Sequence, residues 1–159
     1  MSTLTTRKRA RRVSAQDEPP LDQGALLDLI GYNCRRAYLD IMALFSLRME
    51  KYALRPVDYT TITLVNTNPN ITPKRLARAI NVSPPNLGPL LERLETRGLL
   101  ERRPNPSDKR SQVLALTPEG RALCSKADKT ANQLENEATA MLTGNERREL
   151  LRLLQKIYL

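Results

Sequence analysis

Four cations, Arg102, Arg103, Lys109 and Arg110, flank Pro104, Asn105, Pro106, Ser107 and Asp108, a run that favours a reversal of the chain. Alternation around Leu100 and the run Val113, Leu114, Ala115 and Leu116 read as strands on either side, so residues 99–117 predict a β-hairpin with a cationic tip. The chemistry open to it is ionic: basic groups displace counterions from phosphates, and a narrow hairpin can reach into a groove. A solvated surface hairpin is the plain alternative, and the helix signals just upstream favour the first reading.

Groups for covalent chemistry are scarce. There is no histidine, which removes the commonest general base and the commonest metal ligand. Cys34 and Cys124 stand far apart with no Cys-x-x-Cys pair, so neither a zinc site nor a disulfide framework is indicated. Each cysteine is read as a buried small residue or, alternatively, as a redox-sensing thiol. No constellation of nucleophile, base and acid stands out, so an enzyme, a metal centre and a cofactor are all unexpected.

Lys plus Arg outnumber Asp plus Glu by 26 to 17, a net charge of +9 with a pI near 10.0, which calls for a polyanionic partner, nucleic acid rather than membrane. No apolar run approaches the roughly 18 residues of a spanning helix, and the N-terminus lacks the apolar core of a signal peptide. A cytoplasmic protein with one folded unit in its 159 residues is the expectation.

The elements that must position the hairpin can be read outward from it. Residues 1–20 hold Arg7, Lys8, Arg9, Arg11 and Arg12, then Asp17, Glu18, Pro19 and Pro20, and predict a disordered basic arm, either a source of extra phosphate affinity or a solubilising tail. From Leu21 to Tyr52 apolar residues recur at helical spacing, including Leu26, Ile30, Cys34, Ala37, Ile41, Leu44 and Leu47, which predicts one long helix bent near Gly31. A second helix begins at Pro56 and is broken by Asn66, Asn68, Pro69 and Asn70.

Thr72-Pro73 and Ser83-Pro84 each place a hydroxyl cap before a proline at the first helical position, giving two short helices separated at Asn81-Val82. The second carries Leu87, Leu90, Leu91 and Leu94 and stops at Gly98. Thr117-Pro118 caps a further helix, and Thr143 with Glu146 makes a capping box for the last. The fold class is mostly α with a small β-wing: a winged helix-turn-helix lobe over 56–117 and a helical dimerisation region formed by 21–55 and 118–159. The terminal helices are too long and amphipathic to bury their apolar stripes on so small a lobe, which favours pairing with a second subunit.

Ser83, Leu87, Leu90, Arg93, Leu94, Gly98-Leu99-Leu100-Glu101-Arg102, Asp108-x-Arg110 and Leu116-Thr117, together with the Leu-Thr-x-x-Glu-x-x-x-Leu-x-x-Leu-Leu pattern over 142–154, resemble the MarR (multiple-antibiotic-resistance regulator) family of bacterial transcription factors. The resemblance runs from about Leu26 to Ile157. It implies a homodimer built on the first and last two helices, two winged lobes on a palindromic double-stranded operator, and repression as the commoner outcome. Half-sites about 34 Å apart would then meet a recognition helix in successive major grooves.

The resemblance also implies residue roles. Arg110 would enter the minor groove, oriented by a charge-assisted hydrogen bond that its guanidinium donates to Asp108, while Lys109, Arg102 and Arg103 would touch phosphates. Ser83 and Arg93 complete the DNA-facing set. One departure is Gly88-Pro89 in the recognition helix, where the family commonly has a polar residue and then an arginine; Pro89 should kink the helix or make its start irregular. Base reading would pass to Asn86, by bidentate pairing with adenine, and to Pro84 and Pro85 against thymine methyls. Asn86 as a mere helix cap is the alternative.

Of six aromatics, Tyr32, Tyr38, Phe45, Tyr52 and Tyr59 fall in the first helix or the start of the second, with Arg35 and Arg36 one turn after Tyr32. Family effectors, small anionic aromatics, bind between the dimer helices and the winged lobe. An arginine fork beside these rings, Leu39 and Met42 would suit an aromatic carboxylate, or the phosphates of its coenzyme A thioester. The alternative is that the aromatics are dimer core and the arginines solvated. A thiol switch and an effector-independent architectural DNA binder are the rival functions.

Overall fold

A computed structural model describes residues 21–159, apart from the side chain of Lys109, and the basic arm expected over residues 1–20 lies outside the described residues. The chain divides into two compact units, one ending at Arg35 and one running from Arg36 to Leu159. In the first, a 3-10 turn over Gly24–Asp28 is followed by an extended Leu29 (φ −92°, ψ 119°), after which α1 (Ile30–Met49) begins.

This corrects the single long helix from Leu21: the break falls at Leu29, and Gly31 is helical. Side chains offer the backbone a competing set of hydrogen bonds here. The Gly24 N–H donates to Asp22 Oδ1 (2.9 Å), the Tyr32 hydroxyl donates to Gln23 Oε1 (2.5 Å), and the Asn33 amide donates to the carbonyls of Leu27 (2.8 Å) and Leu29 (2.9 Å).

In the second unit α1 ends in a 3-10 turn, Glu50–Tyr52, closed by Ala53 in the left-handed region (φ 49°). Four elements of a helix-turn-helix lobe follow: α2 (Pro56–Thr67), α3 (Pro73–Ala79), α4 (Pro84–Thr96), and a hairpin of β1 (Leu100–Asn105) with β2 (Asp108–Leu116). Then come α5 (Pro118–Ala138) and α6 (Gly144–Tyr158). The strands pair antiparallel from Leu100 opposite Leu116 to Pro104 opposite Gln112, with an irregularity at Asn105 before the turn. Expected caps form at Thr72, Thr117 and Thr143, whose hydroxyls accept the N–H of Arg75, Gly120 and Glu146.

Apolar residues at helical spacing converge on one core, in which Met49, Ile62, Leu76, Leu91, Leu94, Leu114 and Leu134 are fully buried. Burying each such side chain is worth about 1.5–3 kcal/mol. The wing is fastened to that core at its base. The Leu114 N–H donates to the Ile71 carbonyl (2.9 Å), the Thr117 N–H to the Leu99 carbonyl (3.2 Å), and the Thr117 hydroxyl to the Gly98 carbonyl (2.6 Å). By contrast α6 buries none of its residues, leaving Leu150, Leu151, Leu153 and Ile157 exposed, and α1 leaves Tyr38, Leu39 and Leu47 exposed.

Gly120 is where α5 passes closest to the wing base: a Cβ there would lie 1.9 Å from the Leu99 carbonyl oxygen. No rotamer relieves a clash with backbone. Gly120→Ala is therefore expected to destabilise the fold by about 2 kcal/mol or more, measured by urea unfolding; an unchanged midpoint would mean that the wing base and α5 are not packed as described.

Candidate nucleic-acid interface

α4 has two unlike halves. Leu87, Leu90, Leu91 and Leu94 are buried, while Ser83, Pro84, Pro85, Asn86, Gly88 and Pro89 at its start are exposed. The helix runs from Pro84 to Thr96 without interruption through Pro89, the residue expected to kink it or make its start irregular. Two features explain this. Residues before proline are pushed from helical geometry partly by a clash of their own Cβ, and Gly88 has none. The carbonyl that Pro89 leaves unbonded, that of Pro85, lies in the first turn, next to solvent.

The start of α4 is also uncapped by side chains. Ser83 departs from its expected role: the N–H groups of Asn86 and Leu87 donate to its backbone carbonyl (3.0 and 3.1 Å), while its hydroxyl caps nothing. The Asn86 amide makes no intramolecular hydrogen bond among the described residues, so it is not spent as a cap and stays available for an external partner.

At the wing, Arg102 donates through Nε to Glu95 Oε1 on α4 (2.9 Å), and Arg103 pairs with Glu101. Both pairs are solvent-exposed and weakly held, so each arginine can be exchanged onto a phosphate at small cost. Arg110 is exposed and has no ion pair among the described residues. Asp108 differs from expectation. Its Oδ1 accepts the backbone N–H of Arg110 (3.0 Å), so it shapes the chain of the wing tip rather than orienting the guanidinium. The turn is tightened further by Ser107 N–H to Asn105 Oδ1 (3.0 Å) and Asn105 Nδ2 to Ser111 Oγ (2.8 Å).

The start of α3 and the wing enclose an open cleft of about 760 Å³ with Thr72, Lys74, Arg102, Arg103 and Arg110 on its walls. Lys74 is the residue that sequence reading missed. Its charge was visible beside Thr72-Pro73, but only the fold brings it opposite the wing arginines. Arg93, expected to face DNA, is instead paired with Asp58 of α2, whose side chain is 2% exposed.

The expected effector residues are divided between the two units. In the first unit Arg35 is exposed and Tyr32 is bonded to Gln23. In the second, Arg36, Tyr38 and Leu39 are exposed and Met42 packs partly against the core. Tyr59 is half-buried, its ring 5.9 Å from that of Phe45 and its hydroxyl donating to Asp128 Oδ1 on α5 (2.9 Å). Burial first, and then the hydrogen bond to Asp128, push the Tyr59 phenol up to about 12, so it stays a donor at neutral pH.

The same Asp128 accepts from Cys124 (Sγ to Oδ2, 3.7 Å), and Thr63 also approaches the sulfur. Burial and the Asp128 charge push the Cys124 thiol above its usual range, which depletes the reactive thiolate. An alkylating reagent at pH 7.5 should therefore leave Cys124 unmodified until the protein is denatured, as read by peptide mass spectrometry; prompt labelling in the folded protein would reinstate a thiol switch at that position.

A model of the MarR family matches residues 54–112. The multiple antibiotic resistance protein MarR of Salmonella typhimurium is 41% identical over 88 residues, 55% of this chain and 61% of that protein, so the match spans about three fifths of that relative's length. The transcriptional repressor CouR bound to a 23-mer DNA duplex superposes with a TM-score of 0.81 at 34% identity, covering 87% of this chain and 99% of that one. CouR bound to p-coumaroyl-CoA superposes with a TM-score of 0.76 at 32% identity, covering 87% and 97%. With the helix-turn-helix, the wing and its Asp108-x-Arg110 tip in place, the chain belongs to the MarR family of winged-helix transcription factors.

Proposed function

We propose that this protein is a homodimeric transcriptional repressor that binds a palindromic operator and is released by a coenzyme A thioester of an aromatic acid, or by the acid itself. The observation that carries the reading is the bare start of α4, with the Asn86 amide unspent, beside a wing whose Arg110 has no ion pair among the described residues. A helix end of that kind fits a major groove, and an uncommitted guanidinium at a narrow tip fits a minor groove. The cleft carrying Lys74, Arg102 and Arg103 fits the phosphates between them.

The exposed apolar faces of α1 and α6 support a second copy as partner. Two-fold symmetry then matches two half-sites. For the effector, the proposed set is Tyr32, Arg35, Arg36, Tyr38, Leu39, Met42 and Tyr59, with the arginines on phosphates or a carboxylate and the tyrosines on the ring. A structural relative bound to an aromatic coenzyme A thioester favours the thioester form. Release requires differential affinity: a tenfold loss of operator binding corresponds to about 1.4 kcal/mol of coupling, and the same factor must weaken effector binding to the DNA-bound dimer.

The test is a titration of labelled DNA from the gene's own upstream region at fixed salt, with and without aromatic acids and thioesters including p-coumaroyl-CoA. Binding that one class reverses is the expected result; affinity that no compound moves would favour an effector-independent architectural protein. Arg110→Ala should weaken operator binding about tenfold. Arg35→Ala and Arg36→Ala should leave operator binding intact and blunt release, and an unaltered response in both would remove the arginines from the effector site.

A further inference from the structure

The second half of α4 is as heavily tied as its first half is bare. Arg97, at its C-terminus, donates through Nη1 to the Ala53 carbonyl (2.8 Å) and through Nη2 to the Tyr52 carbonyl (2.8 Å). Those two carbonyls end the 3-10 turn that closes α1, where Ala53 is held in the left-handed region. One turn earlier on α4, Arg93 pairs with Asp58 Oδ1, while Asp58 Oδ2 accepts the Arg55 N–H (3.0 Å) at the start of α2. Two arginines on one helix face therefore grip both sides of the α1–α2 junction.

This grip borders an open hollow as well as the core, where Met49 of α1 and Leu91 and Leu94 of α4 are buried together. The hollow, of about 870 Å³, is walled by Ser46, Leu47, Glu50, Arg55, Arg93 and Arg97. The Arg93 Nε is buried without a hydrogen-bond partner among the described residues, so its hold on Asp58 runs through Nη2. On the side facing the hollow, α4 is tied to the end of α1 by directional bonds. A guanidinium bonded to two successive carbonyls fixes orientation as well as distance.

We infer that Arg97 and the Asp58–Arg93 pair are positioning residues for DNA reading: they hold the recognition helix at a set angle to the end of α1, so that the dimer helix and the base-reading surface move together. The inference rests on the operator-binding reading above. Phosphate attraction tolerates a helix that has swung by a few degrees, whereas base-edge hydrogen bonds do not. Loss of the clamp should thus lower discrimination between sequences and spare the non-specific component.

The experiment compares the full-length protein with Arg97→Met, Arg97→Lys and Asp58→Asn on two duplexes at one salt concentration: the palindromic segment of the upstream DNA and a scrambled duplex of equal length and composition. Far-ultraviolet circular dichroism and thermal unfolding establish that each variant is folded at the assay temperature. Arg97→Met and Asp58→Asn are expected to reduce the ratio of specific to non-specific affinity by about tenfold while affinity for the scrambled duplex stays unchanged, with Arg97→Lys recovering part of the ratio. A full ratio in folded Arg97→Met, or an equal fall on both duplexes, overturns the clamp alone. An unsubstituted protein that binds both duplexes alike overturns the operator reading and the clamp with it.

Discussion

A carboxylate buried to 2% exposure, Asp58, has to be met by donors on every side, and the way this chain meets it sets the geometry of its recognition helix. One oxygen takes the Arg55 N–H and so starts α2; the other takes Arg93 and so fixes α4. Leaving such a group without its partner costs on the order of 3 kcal/mol, enough to make any other placement of α4 rare. The wing inherits the placement, because α4 runs directly into it: the Leu99 N–H donates to the Leu94 carbonyl (3.0 Å), and Leu99 and Leu100 are buried in the same core. A single interaction in the interior thus aligns the two elements on the surface that face outward together.

The cations are divided accordingly. Arg93 and Arg97 are consumed by the protein's own carboxylate and carbonyls and serve its geometry. Arg102 and Arg103 sit in exposed pairs worth at most about 1 kcal/mol, easily surrendered to a phosphate. Arg110 has no pair among the described residues, and Asp108, by holding its backbone instead of its side chain, leaves the guanidinium uncommitted. Net charge alone, +9 over the whole chain, says nothing of this division; it is made by which acid lies within reach of which base after folding.

Local signals were accordingly the legible ones. Hydroxyl-proline starts, apolar spacing and the turn residues of the wing predict α2 through α6 and the hairpin, and Asp108-x-Arg110, the Leu116-Thr117 pair and the pattern over 142–154 carry the family resemblance. What the sequence left obscure depends on neighbours distant along the chain. Arg93 reads as a surface cation because Asp58, 35 residues away, has no visible connection to it. Pro89 reads as a kink or an irregular start because propensity rules describe helix interiors, whereas here a glycine precedes it and its missing bond lies in the first turn. The break at Leu29 escaped because Gln23 and Asn33 look like ordinary helix-surface residues until their amides find partners.

The exposed apolar faces and the bare helix end belong to one requirement. A start of α4 with Asn86 and two prolines offers few base contacts, each good bidentate pair being worth about 1–3 kcal/mol. One lobe alone would therefore bind DNA mainly through charge and read it poorly. Two lobes joined through the apolar stripes of α1 and α6 would add their discriminations, provided their separation matches the helical repeat. On the proposed dimeric reading, sequence discrimination would depend on the dimer helices as much as on the residues proposed to touch bases. On that reading, a ligand that shifted the end of α1 would not need to approach the DNA surface to abolish recognition; the bonds from Arg97 of α4 to the Tyr52 and Ala53 carbonyls would give such a shift a direct mechanical route to α4.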